Sequence, residues 1–179
     1  MKNVLIISSS PRKNGNSQML CEAFKKGVEE SGNFAKLIRL AEKNIGYCKG
    51  CDFCMKNDGV CVQKDDMSEI LDAYKKADVL VLATPVYFHG VCAQMKTFID
   101  RTVPRYTEIR DKDFYFILTA ADTEKANLER TMEAFRGFTE DCLDGAREAG
   151  VIYGTGAWRI GEIKNTPAYE EAYQMGRNI

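Results

Sequence analysis

The sequence predicts a single α/β domain built on a doubly wound, five-stranded parallel sheet. Apolar segments of strand length alternate with amphipathic segments of helical length along residues 1–179, and no repeat or linker interrupts them. Residues 78–84 (DVLVLAT) form a continuous apolar run, as expected of a strand that is buried on both faces. With the strand order 2-1-3-4-5, a ligand would bind beyond the carboxyl ends of the first and third strands, where the strand order reverses.

Each predicted element follows from its own local pattern. Strands are expected at residues 2–8, 34–40, 78–84, 113–121 and 151–155, and helices at 17–30, 66–77, 91–101, 127–149 and 167–178. Asp66 and Glu69 have the spacing of a capping box at the start of the second helix. Residues 41–66 form a long irregular loop that contains four cysteines.

Charge and hydropathy exclude several classes of partner. The 25 basic and 26 acidic residues leave a net charge of −1, so no global field attracts nucleic acid or an anionic membrane. The apolar run at residues 4–7 is shorter than the roughly 7–15 apolar residues of a signal peptide. No run approaches the ~18 apolar residues of a membrane span. We therefore expect a cytoplasmic protein that binds neither nucleic acid nor a membrane.

The loop after the first strand, SSSPRKNGNS at residues 8–17, has the composition of a phosphate site. It leads directly into a helix, and a helix N-terminus offers unpaired backbone N–H groups and a positive dipole end. It lacks the Gly-Lys-Ser/Thr of a Walker loop and the spaced glycines of the dinucleotide motif. The candidate contacts are the hydroxyls of Ser8, Ser10 and Ser17, the Asn16 amide and the Arg12 guanidinium.

Two further segments are expected at the same edge of the sheet. The loop after the third strand, residues 84–90 (TPVYFHG), carries two adjacent aromatic residues, and Thr119 and Ala120 end the fourth strand. An aromatic pair by itself indicates packing more often than binding. Together with a phosphate loop nearby, it fits a mononucleotide that has a large planar ring.

The third candidate site is a cluster of cysteines at Cys48, Cys51, Cys54 and Cys61. Three cysteines separated by two-residue gaps resemble ferredoxin-type ligation, which favours a [4Fe–4S] cluster. Zinc is a weaker alternative, since structural zinc usually takes two separated C-x-x-C pairs. Redox-active free thiols are the remaining alternative. Cys21, Cys92 and Cys142 lie in helical patterns and are expected in the core.

The loop SSSPRKNGNS, the segment TPVYFHGVCAQMKTFIDR and the motif YCKGCDFC, followed by Cys and Asp-Asp-Met, resemble the flavodoxin-like NAD(P)H-dependent FMN reductases. More narrowly, they resemble the iron–sulfur flavoprotein branch. The specific motifs lie in about the first 120 residues. The resemblance implies that FMN phosphate contacts Ser8, Ser10, Arg12, Asn16 and Ser17, and that the isoalloxazine is bordered by Pro85, Val86, Tyr87 and Phe88. It also implies that Asp100 and Arg101 are structural or interfacial.

These expectations converge on an FMN-dependent oxidoreductase that takes electrons from NAD(P)H. The acceptor would be a small molecule (a flavin, a quinone or a metal) or a partner protein, and the resemblance suggests a homodimer or homotetramer. The alternative is a non-enzymatic electron carrier that uses FMN and a [4Fe–4S] cluster with ferredoxin as its partner. A metal-binding or thiol-switch module is a third possibility. No catalytic side chain is assigned, and the roles of His89 and Trp158 are left open.

Overall fold

The computed structural model describes all residues, 1–179, and its centre is a parallel sheet. Its strands are β1 (Asn3–Ser8), β2 (Phe34–Arg39), β3 (Val79–Tyr87), β4 (Gly90–Val91), β5 (Asp113–Thr119) and β6 (Arg147–Gly154). Its helices are α1 (Asn16–Glu30), α2 (Met67–Lys76), α3 (Ala93–Asp100), α4 (Glu129–Cys142) and α5 (Pro167–Arg177). The parallel strands lie in the order β2-β1-β3-β5-β6, which confirms the predicted flavodoxin-like topology.

The sheet separates two hydrophobic cores because successive side chains of a strand point to opposite faces. Leu5 and Ile7 of β1 pack against α2, α3 and α4, whereas Val4 and Ile6 pack against α1 and α5. Both faces of the sheet are therefore covered, as the continuous apolar strands predicted.

Helices α1 and α5 approach each other at the distance of backbone contact. A Cβ atom added to Gly27 would lie 2.1 Å from the carbonyl oxygen of Tyr173, and one added to Gly176 would lie 2.1 Å from that of Phe24. No residue with a side chain fits at either position. The two glycines thus fix α1, whose N-terminus carries the predicted phosphate loop, against the C-terminal helix.

The structure corrects several predicted elements. Helix α4 ends at Cys142, not at residue 149, because Gly145 has a left-handed φ of +69° and residues 147–150 pair with β5. Asp66 and Glu69 form no capping box. The Asp66 carboxylate instead accepts the Asn44 N–H at 2.8 Å.

The loop after the third strand is also more ordered than expected. Strand β3 continues to Tyr87 and turns back through two residues into β4, its antiparallel partner. This hairpin was not predicted, and it projects beyond the carboxyl edge of the sheet. None of the helices is both long enough and apolar enough to span a bilayer.

Candidate functional site

A cleft of about 300 Å³ lies at the carboxyl ends of β1, β3 and β5, at the predicted point of strand reversal. Its walls come from four segments: the loop before α1, the β3–β4 hairpin, the segment after β5 and the segment after β6. The lining residues are Ser10, Arg12, Asn16, Ser17, Pro85, Val86, Tyr87, Phe88, His89, Thr119, Ala120, Ala121, Asp122, Asn127, Leu128, Ala157 and Trp158. Ten of the eleven predicted FMN-contact residues therefore meet at one cleft.

Ser8 is the exception among the predicted contacts. It is fully buried at the end of β1, its hydroxyl has no hydrogen-bond partner, and it does not line the cleft. The sequence could not distinguish Ser8 from Ser10, since both are polar residues near the carboxyl end of an apolar strand.

The N-terminus of α1 lies at one end of the cleft. Gly15 is its N-cap residue, no side chain caps the first turn, and that turn contains no acidic residue. The first backbone N–H groups of the helix are therefore available to an anion. Beside them, the Ser17 hydroxyl lies 2.6 Å from that of Thr119, which ties the helix start to the end of β5.

Arg12 and Asn16 also bind the segment that follows β6. Arg12 Nη1 donates to the carbonyl oxygen of Trp158 at 3.1 Å, and the guanidinium lies 5.7 Å from the centre of the Trp158 ring. The Asn16 amide donates to the carbonyls of Ala157 (3.1 Å) and Arg159 (3.0 Å) and accepts the Gly161 N–H at 3.0 Å. Its side chain therefore holds this segment in place, while its backbone N–H remains at the helix start.

The β3–β4 hairpin forms the opposite wall of the cleft. Phe88 and His89 occupy the two-residue turn with φ values of +51° and +58°, the arrangement of a type I′ turn. The other non-glycine residues with positive φ are all Asn or Asp, which tolerate this conformation. Left-handed residues cost about 1–3 kcal/mol each and are concentrated at functional sites. The turn leaves Phe88 fully exposed and Tyr87 41% exposed beside the cleft.

Polar contacts join this turn to the segment after β5. The carbonyl oxygen of Asn127 accepts a hydrogen bond from His89 Nδ1 at 3.1 Å, and the Asn127 amide donates to Asp122 Oδ2 at 2.8 Å. The Glu124 backbone N–H donates to Asp122 Oδ1 at 2.8 Å. These hydrogen bonds, the one from Glu124 first, hold the pKa of Asp122 below its ordinary value.

Several cleft residues were not predicted as contacts. The chain after β6 brings Ala157 and Trp158 into the cleft. The sequence contained a signal for this contact, because the carboxyl end of a parallel fifth strand must lie at the same edge of the sheet. Asn127 and Leu128 follow an irregular segment, and no sequence pattern marks them. His89 lies in the cleft, although a surface position without function was the simpler expectation.

The cysteine loop borders a second cavity of about 590 Å³. Cys48, Cys51, Cys54 and Cys61 all line it, together with Cys142 at the end of α4. Cys142 is exposed, which corrects its predicted core position, whereas Cys21 and Cys92 are buried as expected. No three Cys, His, Asp or Glu side chains lie close enough together to hold one metal ion in this arrangement.

Arg101 holds the cysteine loop against the rest of the domain through hydrogen bonds to two loop residues. Its side chain is only 2% exposed, and it donates to both carboxylate oxygens of Asp65, at 2.7 and 2.9 Å, and to the Gly46 carbonyl at 2.6 Å. Its second terminal nitrogen also lies 3.7 Å from the Cys61 sulfur. Arg101 is therefore structural, one of the two roles that the resemblance implied, whereas Asp100 pairs with Lys96 at the surface.

Comparison with known proteins identifies relatives of this chain. An iron-sulfur flavoprotein of Archaeoglobus fulgidus is 45% identical over 104 residues, which cover 58% of this chain and 46% of that protein. An iron-sulfur flavoprotein of Methanocaldococcus jannaschii is 43% identical over 101 residues, covering 56% of this chain and 52% of that protein. The chain thus spans about half the length of the curated relatives it matches.

Solved structures and a family model extend the comparison. The NAD(P)H:quinone oxidoreductase from Methanothermobacter marburgensis superposes with a TM-score of 0.78 over 99% of this chain and 95% of its own, at 16% identity, which shows a shared fold. A family model described as NADPH-dependent FMN reductase matches residues 2–136, a stretch that includes the loop before α1, the cysteine loop and the β3–β4 hairpin. The chain therefore belongs to the NADPH-dependent FMN reductase family.

Proposed function

We propose that this chain is an FMN-dependent oxidoreductase that takes electrons from NAD(P)H and passes them to a small acceptor. The observation that carries the proposal is the uncapped, acid-free start of α1, which opens into a cleft at the strand reversal of a chain in this family. A phosphate at this helix start would meet N–H donors and the positive end of the helix dipole. The cleft volume of about 300 Å³ is at the lower end of the range for small-molecule sites.

One group of cleft residues would bind the phosphate of FMN. Ser10, Arg12 and Ser17, with the backbone N–H of Asn16, would hold the phosphate. The buried hydroxyl of Ser8 lies outside the cleft, so we do not include it in this set.

The ring would be bordered by a separate group of cleft residues. These are Pro85, Val86, Tyr87, Phe88, Thr119 and Ala120. When bound, FMN would supply hydride and electron transfer, and the protein would bind and orient it and exclude water from one side.

The deciding experiment measures FMN binding and NAD(P)H oxidation in the same preparation. Arg12→Ala removes a charge-assisted contact worth about 1.5–3 kcal/mol, so FMN affinity should fall tenfold or more. Lys13→Ala is the matched control, because Lys13 is an exposed neighbouring cation outside the cleft. Equal FMN affinity in the two variants, or wild-type protein that neither binds FMN nor oxidises NADH or NADPH, would contradict the proposal.

A second candidate function is electron transfer through FMN and a [4Fe–4S] cluster, with ferredoxin as the partner protein. Its support is that four cysteines line one cavity and that relatives at 40–45% identity are named iron-sulfur flavoproteins. Cys48, Cys51, Cys54 and Cys61 would hold the cluster, and the donor set has the chemistry that clusters require. In the present arrangement no three thiols share a ligation centre, so binding would require the loop to draw them together. A homodimer or homotetramer stays a prediction.

Iron and acid-labile sulfide counted on anaerobically reconstituted protein test the second function. Cys54→Ser should lose most of both, because each iron of a cubane normally takes one protein sulfur. Cys142→Ser is the control, since it lines the same cavity outside the proposed ligand set, and its iron content should match that of the wild type. An iron content near zero in the wild type would contradict the proposal of a cluster and would indicate that the cysteines are free thiols.

A further inference from the structure

Cys142 is a fifth thiol at the cavity beside the cysteine loop, and neither proposed function gives it a role. It is the last residue of α4 and lies one helical turn after Phe138, and both line the cavity of about 590 Å³. Its side chain is exposed, and its sulfur donates only to the Gly137 carbonyl oxygen, at 3.3 Å. It also lies outside residues 2–136, so the family match assigns it nothing. Cys142 is therefore an accessible thiol that faces four others across one cavity.

The cysteine loop is attached to the domain only near its two ends. Gly46 at one end and Asp65 at the other both accept hydrogen bonds from Arg101. Between them, residues 48–60 make no hydrogen bond to the rest of the protein, and the hydrogen bonds that they do make are turns within the segment. A segment with so few external contacts moves at little cost in free energy. Its thiols can therefore approach the cavity wall formed by α4.

Three of the four loop cysteines are restrained. Cys61 lies outside the unattached segment, and its sulfur is 3.7 Å from a terminal nitrogen of Arg101. Cys48 is only two residues from Gly46, the fixed end of the loop. Cys54 begins a short 3₁₀ turn, and its carbonyl oxygen accepts two backbone N–H groups, at 3.0 and 3.3 Å.

Cys51 is the least restrained of the four. It is exposed, and neither its N–H nor its carbonyl oxygen makes a backbone hydrogen bond. It lies between two left-handed residues, Gly50 with a φ of +58° and Asp52 with a φ of +55°. A disulfide requires two Cα atoms about 4.4–6.8 Å apart, so the more mobile partner must supply the movement. Cys51 is the loop cysteine that is best placed to do so.

We propose that Cys142 is a thiol modification site that forms a disulfide with Cys51 when the loop holds no metal or cluster. The oxidant is a small disulfide such as oxidised glutathione. The Cys51 thiolate attacks one sulfur of the oxidised glutathione and releases one glutathione thiol. The Cys142 thiolate then attacks the Cys51 sulfur of this mixed disulfide and releases the second. The two protein thiols lose two electrons and two protons in total, and two glutathione thiols carry them away.

The disulfide would fix the unattached segment against α4. It would also remove Cys51 from any set of metal ligands, because the thiolate is the form that binds a metal. The oxidised state and a cluster-bound state therefore exclude one another. The inference goes beyond the proposed function and does not depend on FMN binding.

Peptide mapping without reductant tests the pairing. Full-length protein, shown by iron analysis to hold no cluster, is incubated with oxidised glutathione, alkylated and digested with trypsin. The digest separates the candidates: Cys48 falls in peptide 44–49, Cys51 and Cys54 in 50–56, Cys61 in 57–64 and Cys142 in 137–147. Peptide 137–147 should be joined to peptide 50–56, in protein whose undigested mass is that of one chain. Alkylation of Cys142 should fall about tenfold or more relative to reduced protein.

Matched variants identify the partner within peptide 50–56. Cys51→Ser and Cys142→Ser should each lose the joined peptide. Cys54→Ser should keep it, since it removes the other thiol of the same peptide. The buried Cys21 and Cys92 provide an internal control and should remain unpaired in every sample.

Four outcomes overturn the inference. The first is a Cys142 that stays free while the loop cysteines pair with one another. The second is a Cys142 joined to peptide 44–49 or 57–64, and the third is a joined peptide that persists in Cys51→Ser. The fourth is a disulfide found only between two chains.

Discussion

Replacement of Arg101 by methionine removes the buried cation that attaches the cysteine loop to the domain. Methionine has a similar length but no donors, so Asp65 loses two hydrogen bonds and the Gly46 carbonyl loses its donor. The Asp65 side chain is only 9% exposed. Without Arg101, its buried carboxylate has no counter-charge. Removing one partner of a buried ion pair costs about 3–5 kcal/mol, and we expect the lower value, about 3 kcal/mol, because the surface loop can move toward water.

Urea unfolding measures this loss directly. For a domain of this size an m-value of about 2 kcal/mol/M converts 3 kcal/mol into a midpoint lower by about 1.5 M. Lys96→Met is the control on α3, the helix that ends just before Arg101, since the Lys96–Asp100 pair is exposed (61% and 43%) and such pairs are worth about 0–1 kcal/mol. A loss with Arg101→Met no larger than that of the control would refute the role assigned to Arg101.

The same ion pair has a defined pH dependence. Burial would raise the pKa of the Asp65 carboxyl, but the hydrogen bonds from Arg101, Gly46 N–H and Met67 N–H together lower it below its ordinary value. Its stabilisation is therefore complete above an unfolded-state pKa of about 3.9 and is lost as the pH falls through the lower folded-state pKa. The difference in unfolding free energy between wild type and Arg101→Met should narrow below about pH 4. A difference that stays constant would exclude Asp65 as the partner.

Three other substitutions test the cleft and the fold. Phe88→Ala and Tyr87→Ala should each weaken FMN binding or reduce the quenching of flavin fluorescence, measured by titration, and native values in both variants would place the ring elsewhere. Gly176→Ala should destabilise the protein by about 3 kcal/mol in urea unfolding, because its Cβ would lie 2.1 Å from a backbone oxygen of α1. A near-neutral effect would show that α5 shifts at little cost.

The parallel order of the sheet was predictable because its strands are buried on both faces and separated by helix-length segments. The run at 78–84 indicates a strand that is buried on both faces, and the predicted strand order implies a site at the carboxyl edge of the sheet. The loop after the first strand and the aromatic pair at Tyr87 and Phe88 then identified two walls of the cleft. Both signals lie within short segments, so the local sequence reveals them without knowledge of tertiary contacts.

The misassigned details depend on tertiary contacts. The predicted helix extends beyond the end of α4 because residues 143–149 continue an amphipathic pattern, and only pairing with β5 makes 147–150 a strand. Asp66 has the sequence context of a helix N-cap, but its carboxylate accepts a hydrogen bond from the N–H of Asn44, which lies 22 residues earlier in the chain. The place of Asn127 beside His89 likewise follows from a contact between residues 38 positions apart.

The close contact between α1 and α5 at Gly27 and Gly176 has a practical consequence for shortened versions of this chain. A fragment that ends at residue 142 would retain the loop before α1, the hairpin and the cysteine loop. It would nevertheless lack α5, so the side of α1 that carries Leu20 and Phe24 would lose part of its cover from water. The proposed anion-binding end of α1 would then belong to a helix without its support, and the cleft would also lack Ala157 and Trp158. Weak cofactor retention in such a fragment would therefore reflect both losses.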